Sequence, residues 1–271
     1  MDPRFPERDL RGAMAARPAP APMPDFEGRA LEWKLRAIAV PAALLVAIGF
    51  HAFPLLHQIQ RIWLSMWIHE LGHAVTALWS GYGAAPMPWR TAISPDRMLL
   101  VTALVALLNV ALLARWYASR RWLLVGVAVA LLLAQYVMTF VWSVNEATIA
   151  FTFGGDGGAM VLGTALMLTF FVGKDSQIYQ GALRWGFLCI GAAAFVDTFA
   201  TWWAARTDPS VIPFGEIEGV GLSDPTKLVR IYQWSTDDLV DRYVTLGVGC
   251  LIVLVAAYAW AVRDARRAAH G

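Results

Sequence analysis

His69 and His73 lie four positions apart, and Glu70 directly follows the first histidine. On a helix, side chains at this spacing lie on one face, about 5–6 Å apart at Cβ, so both imidazoles can bind one metal ion. Glu70 then stands beside the ion, where a carboxylate can act as general base on a water molecule that the metal activates. The pattern H-E-x-x-H therefore predicts one Zn²⁺ per chain, bound by His69 and His73, with Glu70 as the catalytic base.

The residues around this motif are apolar, and this setting argues against a chance match. A buried histidine is often an ordinary core residue, and short motifs do occur by chance. An ionisable group at bilayer depth, however, costs about 2.5–3.5 kcal/mol even on lenient insertion scales, so such groups mark functional sites. A bound metal ion would account for all three ionisable groups of the motif, because it would bind the two imidazoles and give the glutamate a catalytic role.

The third ligand has several candidates. A catalytic zinc usually takes three protein ligands and keeps one position open. Among the other histidines, His51 or His57 could approach the pair. The acids inside apolar stretches are Glu146, Asp156 and Asp197.

Depth along the helices favours Asp156 among these candidates. Ser143 and Glu146 form the pattern S-x-x-E, which predicts a capping box at a helix start. A helix that starts there places Asp156 about 20 Å along its axis, and His69 lies about 12 Å in from the opposite face. Because the hydrocarbon core is about 30 Å thick, the two side chains could share one plane. Asp197 would then be a buried hydrogen-bonded acid or a partner of a zinc-ligating histidine.

Two stretches resemble a known family. WIHELGHA, residues 67–74, resembles the active-site helix of the site-2 protease family of intramembrane zinc metallopeptidases. That family carries a second motif, an Asp followed by Gly on a later transmembrane helix, whose carboxylate is the third zinc ligand. FGGDGGAM, with Asp156 followed by Gly157, resembles this second motif. The resemblance implies that His69, His73 and Asp156 bind Zn²⁺ and that Glu70 catalyses peptide-bond hydrolysis in membrane-associated substrates.

The chain also departs from that family. Two apolar segments, 98–114 and 122–145, separate the two motifs, where the family usually has one helix between them. The family's longer string around its Asp-Gly is absent apart from the D-G-G part. We therefore expect a divergent member.

Seven charge-poor stretches are candidates for the helices that position these residues. The chain is 58% hydrophobic and 15% charged, whereas a soluble domain carries about 25% charge. We predict an all-α polytopic membrane protein with about six or seven transmembrane helices, an integral multi-pass protein expected in a prokaryotic plasma membrane. Whether the motif segment itself crosses fully is left open. The candidate stretches are 37–60, 62–80, 98–114, 122–145, 157–173, 185–205 and 243–262.

The remaining segments suggest a simple domain organisation. We predict a disordered Pro/Ala-rich tail over 1–34 and a single metallopeptidase-like bundle over 35–268. Residues 81–97 hold two Gly and three Pro, which excludes a regular helix. This loop could pair with an extended substrate by strand addition, or simply connect its neighbours. Residues 206–242 form a polar extramembrane loop, in which Ser223-Asp224-Pro225 suggests a helix start.

The expected partners are the lipid bilayer and a membrane protein substrate. A net charge of +2 gives no reason to expect nucleic acid, and the sequence does not indicate an oligomeric state. The alternative function is a non-catalytic membrane protein, either a pseudo-protease that binds partner helices or a metal carrier. Glu70 favours catalysis, and a carrier would place further His, Asp or Glu along a path across the membrane. Asp197 instead is expected to be isolated.

Overall fold

Helices dominate the computed structural model, which describes residues 26–174, 176–217 and 221–270. Apolar, charge-poor stretches form the long helices, because a helix satisfies all its backbone hydrogen bonds internally in lipid. The helices are α1 Phe26–Ala52, α2 Pro54–Gln60, α3 Met66–Trp79, α4 Leu99–Ala118, α5 Trp122–Tyr136, α6 Val144–Leu168, α7 Gln177–Gln180, α8 Leu183–Ala204, α9 Asp224–Arg230 and α10 Thr236–His270.

Six helical segments of the described residues are long and apolar enough to cross a membrane, which confirms the predicted all-α polytopic membrane protein. The motif segment 62–80 is not among the six. Its helix α3 has 14 residues, so it is about 21 Å long, and a π-helical turn, Arg61–Ser65, precedes it. The six segments are Leu31–Ala52, Leu99–Ala118, Trp122–Val141, Val144–Phe171, Leu183–Ala204 and Thr236–Ala269.

The described residues form two short antiparallel hairpins. In the first, β1 Tyr82–Met87 pairs with β2 Arg90–Arg97, so the Pro/Gly segment 81–97 is non-helical, as predicted. In the second, β3 Glu216–Ile217 pairs with β4 Gly221–Leu222 inside the polar segment 206–242.

The N-terminal boundary differs from the prediction. Helix α1 begins at Phe26, so residues 26–34, which were assigned to the tail, are helical. The rest of the predicted tail, residues 1–25, lies outside the described residues.

Glycines allow α3 to pack directly on α6. A Cβ atom at Gly72 would clash with the carbonyl oxygen of Gly154 and would lie 2.9 Å from both the Gly155 oxygen and the Gly158 Cα. Because this approach is backbone to backbone, no side chain could move aside to relieve the clash. The glycines around Asp156 therefore serve close helix packing, as small residues do in membrane helices.

The main core lies where α6 and α8 pack against each other and against α1 and α10. Helix α6 contributes to this core and also packs against α3. Its largest fully buried side chains include Met160, Met167, Phe170, Leu188, Trp202, Tyr243 and Leu254.

Candidate metal centre

The two histidines of the motif face each other on α3. Their Nε2 atoms lie 3.1 Å apart, and the imidazole rings meet edge to face with centroids 4.7 Å apart. The side chain of His69 is 16% exposed and that of His73 is 11% exposed. The helical spacing therefore directs one nitrogen of each ring to a common point, as the sequence predicted.

The carboxylate that reaches both Nε2 atoms belongs to Asp224, the first residue of α9. Its Oδ2 atom lies 3.0 Å from His73 Nε2 and 3.4 Å from His69 Nε2. The donor atoms of these three residues all lie within 4.8 Å of one another. Two imidazole nitrogens and a carboxylate oxygen are a donor set that suits zinc.

Asp224 is held in place from its other side. Its second oxygen, Oδ1, accepts a hydrogen bond from Lys227 Nζ at 3.0 Å. Burial raises the pKa of Asp224, but the adjacent imidazoles of His69 and His73 lower it, and the net effect holds the pKa well below its usual range. The carboxylate is therefore available as an anionic ligand.

Asp156 lies on the other side of the His69 ring. Its Oδ1 atom accepts from His69 Nδ1 at 2.9 Å, and its Oδ2 atom accepts from the indole Nε1 of Trp202 at 2.9 Å. A carboxylate on the Nδ1 side fixes the tautomer and the orientation of a metal-binding imidazole. Asp156 as a direct ligand stays a prediction, and Asp224 is the carboxylate that the structure brings to both Nε2 atoms.

The second histidine is fixed in the same way. His73 Nδ1 donates to the backbone carbonyl of Phe151 at 2.6 Å. This hydrogen bond fixes the orientation of the ring, so that Nε2 faces the centre. Partners on α6 thus occupy the Nδ1 atoms of both histidines, and both Nε2 atoms face the centre.

Glu70 lies beside this group and is 4% exposed. The hydroxyl of Thr91, on β2, lies 2.7 Å from Glu70 Oε2 and 2.8 Å from the backbone oxygen of Glu70. The hairpin β1–β2 is therefore attached directly to the predicted catalytic base.

A cavity of ≈ 860 Å³ opens onto the centre. Its walls come from the motif helix, from the hairpin and from the polar segment that carries Asp224. A volume of this size lies in the range of sites that enclose ligands. The wall includes Glu70, Trp89, Thr91, Phe214 and Asp224.

Glu146 has the structural role predicted for it. Its side chain accepts from the backbone N–H of Ser143 at 2.7 Å, and the Ser143 hydroxyl in turn accepts from the backbone N–H of Glu146. This reciprocal pair is the capping box at the start of α6. Glu146 is exposed and does not contact the two histidines of the motif.

The remaining candidates form a separate group. Asp197 Oδ1 lies 2.6 Å from His57 Nε2 and 3.8 Å from His51 Nδ1. The expectation that Asp197 is isolated was therefore wrong, because α8 brings it against residues of α1 and α2. Within the described residues, neither His51 nor His57 joins the group around His69 and His73.

Sequence reasoning did not identify Asp224 as part of the site. Ser223-Asp224-Pro225 was interpreted as a helix start, and α9 does begin there. The available signal was an acid at a helix start in a loop that joins two long apolar helices. That signal does not tell which distant residue the side chain contacts.

No family model matches the chain, and no curated protein and no solved structure matches it either.

Proposed function

We propose that this protein is an intramembrane zinc metalloendopeptidase that hydrolyses peptide bonds of membrane-associated protein substrates. The proposal rests on one observation: His69, His73 and Asp224 bring three ligand atoms together beside Glu70, at the wall of a large cavity. The resemblance of WIHELGHA to the site-2 protease active-site helix supports the same function.

The ligand atoms fit a zinc ion. Two ligands of a tetrahedral zinc with bonds of about 2.0–2.1 Å lie about 3.4 Å apart. The three separations here are 3.0, 3.1 and 3.4 Å, so small adjustments would accommodate the ion. When bound, Zn²⁺ would supply Lewis-acid activation of a water molecule and of the peptide carbonyl.

The chain's own residues orient the ligands and move the proton. Asp156 and the Phe151 carbonyl hold the two imidazoles with Nε2 facing the centre. In our proposal, Glu70 accepts the proton of the attacking water and passes it to the leaving amine nitrogen. Burial of Glu70 keeps bulk water from competing for that proton.

The hairpin is suited to an extended substrate. Peptide carbonyls in a helix are engaged in hydrogen bonds, so a membrane-spanning substrate must unwind locally before it can be cut. The β1–β2 sheet has two strands, so each strand keeps one edge unpaired within the described residues. We propose that the substrate adds to this sheet by strand pairing, next to the base that Thr91 contacts.

The test is the substitution Glu70→Gln in the full chain, purified in detergent and incubated with a panel of single-span membrane proteins. We expect zinc content to be retained and cleavage to fall by about 10²–10⁴-fold, the usual contribution of a general base. Glu146→Gln is the matched control, since glutamine also serves in a capping box. Undiminished cleavage by Glu70→Gln, with the fold intact, would refute the proposal.

A metal carrier is the second candidate, and one observation favours it. The group of His51, His57 and Asp197 places further ligand-type side chains within the bundle, as a path for an ion would require. A cavity of ≈ 10 Å³ also touches His69, Asp156 and Asp197. Zinc uptake into liposomes that is unchanged by Glu70→Gln would establish the carrier, because only catalysis needs that carboxylate.

A further inference from the structure

Four of the five histidines of the chain lie in two groups, each with an aspartate. We propose that the second group, His51, His57 and Asp197, is a binding site for a divalent transition-metal ion. This inference goes beyond the proposed protease function and does not depend on it.

The geometry is that of a cluster of ligands. His57 Nε2 and His51 Nδ1 both face Asp197 Oδ1, at 2.6 and 3.8 Å. The imidazole centroids lie 4.2 Å apart with the rings tilted by 58°. One donor atom from each residue lies within 4.8 Å of the others, so an ion between them needs only small shifts of the side chains.

An unsatisfied polar atom points to a missing partner. His51 Nδ1 is buried and has no hydrogen-bond partner, although buried polar atoms are almost always paired. Asp197 is 1% exposed and lies within the candidate span Leu183–Ala204, where a carboxylate needs strong compensation. An ion bound at Nδ1 and at the carboxylate would satisfy both atoms.

The donor set selects the class of ion. Two imidazoles and one carboxylate suit Zn²⁺, Co²⁺, Ni²⁺ or Fe²⁺. Ca²⁺ and Mg²⁺ prefer shells of oxygen ligands, so they do not fit. Because the ligands come from α1, α2 and α8, the ion would also link the junction of α1 and α2 to α8.

Arg61 modulates this site. Its Nη1 atom lies 3.6 Å from Asp197 Oδ2, and its side chain is 37% exposed. The guanidinium takes the second carboxylate oxygen and leaves Oδ1 for the ion, but its positive charge opposes a cation nearby. Removing this charge should therefore tighten metal binding, whereas a site that is only an ion pair would gain no metal affinity.

The experiment is a titration of the metal-free full chain in detergent with Co²⁺, followed by its visible absorption and by equilibrium dialysis. We expect the variant His69→Ala/His73→Ala, which lacks the first pair, to keep one bound equivalent. In that background, His51→Ala and Asp197→Asn should abolish saturable binding, and His270→Ala should leave it unchanged. Arg61→Gln should lower the dissociation constant for Co²⁺ by about tenfold, because one repulsive charge is removed.

The variants also separate this inference from the protease proposal. His51→Ala removes an Nδ1 atom that has no hydrogen-bond partner, so we expect the fold to stay intact. Size-exclusion profile and thermal unfolding check this point. If the His69→Ala/His73→Ala variant binds no Co²⁺, or if its bound equivalent survives both His51→Ala and Asp197→Asn, the second site does not exist.

Discussion

Asp224 Oδ2 lies 3.0 Å from His73 Nε2 and thereby joins the polar segment 206–242 to the motif helix α3. The two residues are far apart in the chain. One is on a helix packed within the bundle, and the other begins a helix in a segment between two candidate spans. The group of possible metal ligands thus combines two histidines of the short helix α3 with a carboxylate from outside the candidate spans.

Metal affinity should distinguish the roles of Asp224 and Asp156, the two carboxylates that contact the histidines of the motif. We expect Asp224→Asn to lose zinc, because it removes the charged oxygen that meets both Nε2 atoms. Asp156→Asn should keep the zinc but bind it about 10–100-fold more weakly, the usual cost of losing a partner behind a ligating histidine. Competition with a chromophoric chelator, on the purified full chain, measures both values.

Asp208→Asn is the control for this comparison, since Asp208 lies in the same segment and bonds only to Ser210 among the contacts described for it. It should bind zinc like the wild type. If Asp156→Asn loses zinc and Asp224→Asn retains it, Asp156 is the ligand, as the sequence predicted.

Thr91 should position Glu70, the proposed catalytic base. Thr91→Val keeps the shape of the side chain but removes the hydroxyl that lies 2.7 Å from Glu70 Oε2. We expect kcat to fall by about tenfold, as the loss of a hydrogen bond to a charged group predicts, with zinc content unchanged. Thr91→Ser should restore most of the rate, because it restores the hydroxyl. A Thr91→Val enzyme with wild-type kcat would exclude a positioning role.

Close packing of α3 on α6 predicts a strong effect at Gly72. Gly72→Ala places a methyl group against the backbone of α6, so we expect it to destabilise the fold by about 1–3 kcal/mol or more. Gly126→Ala is the matched control, because a Cβ at Gly126 meets nothing within 4 Å. Unfolding in mixed detergent micelles measures both. Equal stability of the two variants would mean that the helices can separate at no cost.

The prolines of the hairpin provide a test of substrate pairing. Pro86 lies in β1, and Pro88 is part of the cavity wall. Replacing both with Ala loosens the strand, because proline fixes its own φ angle. We expect a severalfold rise in KM for a membrane-spanning substrate, at unchanged zinc content. Unchanged cleavage kinetics would remove the hairpin from substrate binding.

The parts of the fold that the sequence predicted are those governed by local chemistry. Spanning helices follow from long runs without charge, and the capping box of Glu146 follows from residues three apart. The sequence left six or seven spans open, because 62–80 carries no Asp, Glu, Lys or Arg outside its motif. The structure divides that stretch between a π-helical turn and the short helix α3.

The centre could be predicted only in part for a related reason. His69 and His73 share a face through helical spacing alone, so their convergence follows from the sequence. The contacts of Asp224 and of Asp197 depend on how distant segments pack. No pattern within one segment specifies which distant side chain it will contact. The sequence therefore offered only depth along a helix as a guide to the third metal ligand, and depth favoured Asp156.

The late position of Asp224 in the chain has a consequence for biosynthesis. While the ribosome is still making the first helices, a nascent chain has both histidines of the motif and Glu70 but not Asp224. The proposed centre is therefore incomplete until α9 has emerged and has docked beside α3. If the chain is the protease proposed above, its activity would thus begin only after the segment that carries Asp224 has been made and has docked.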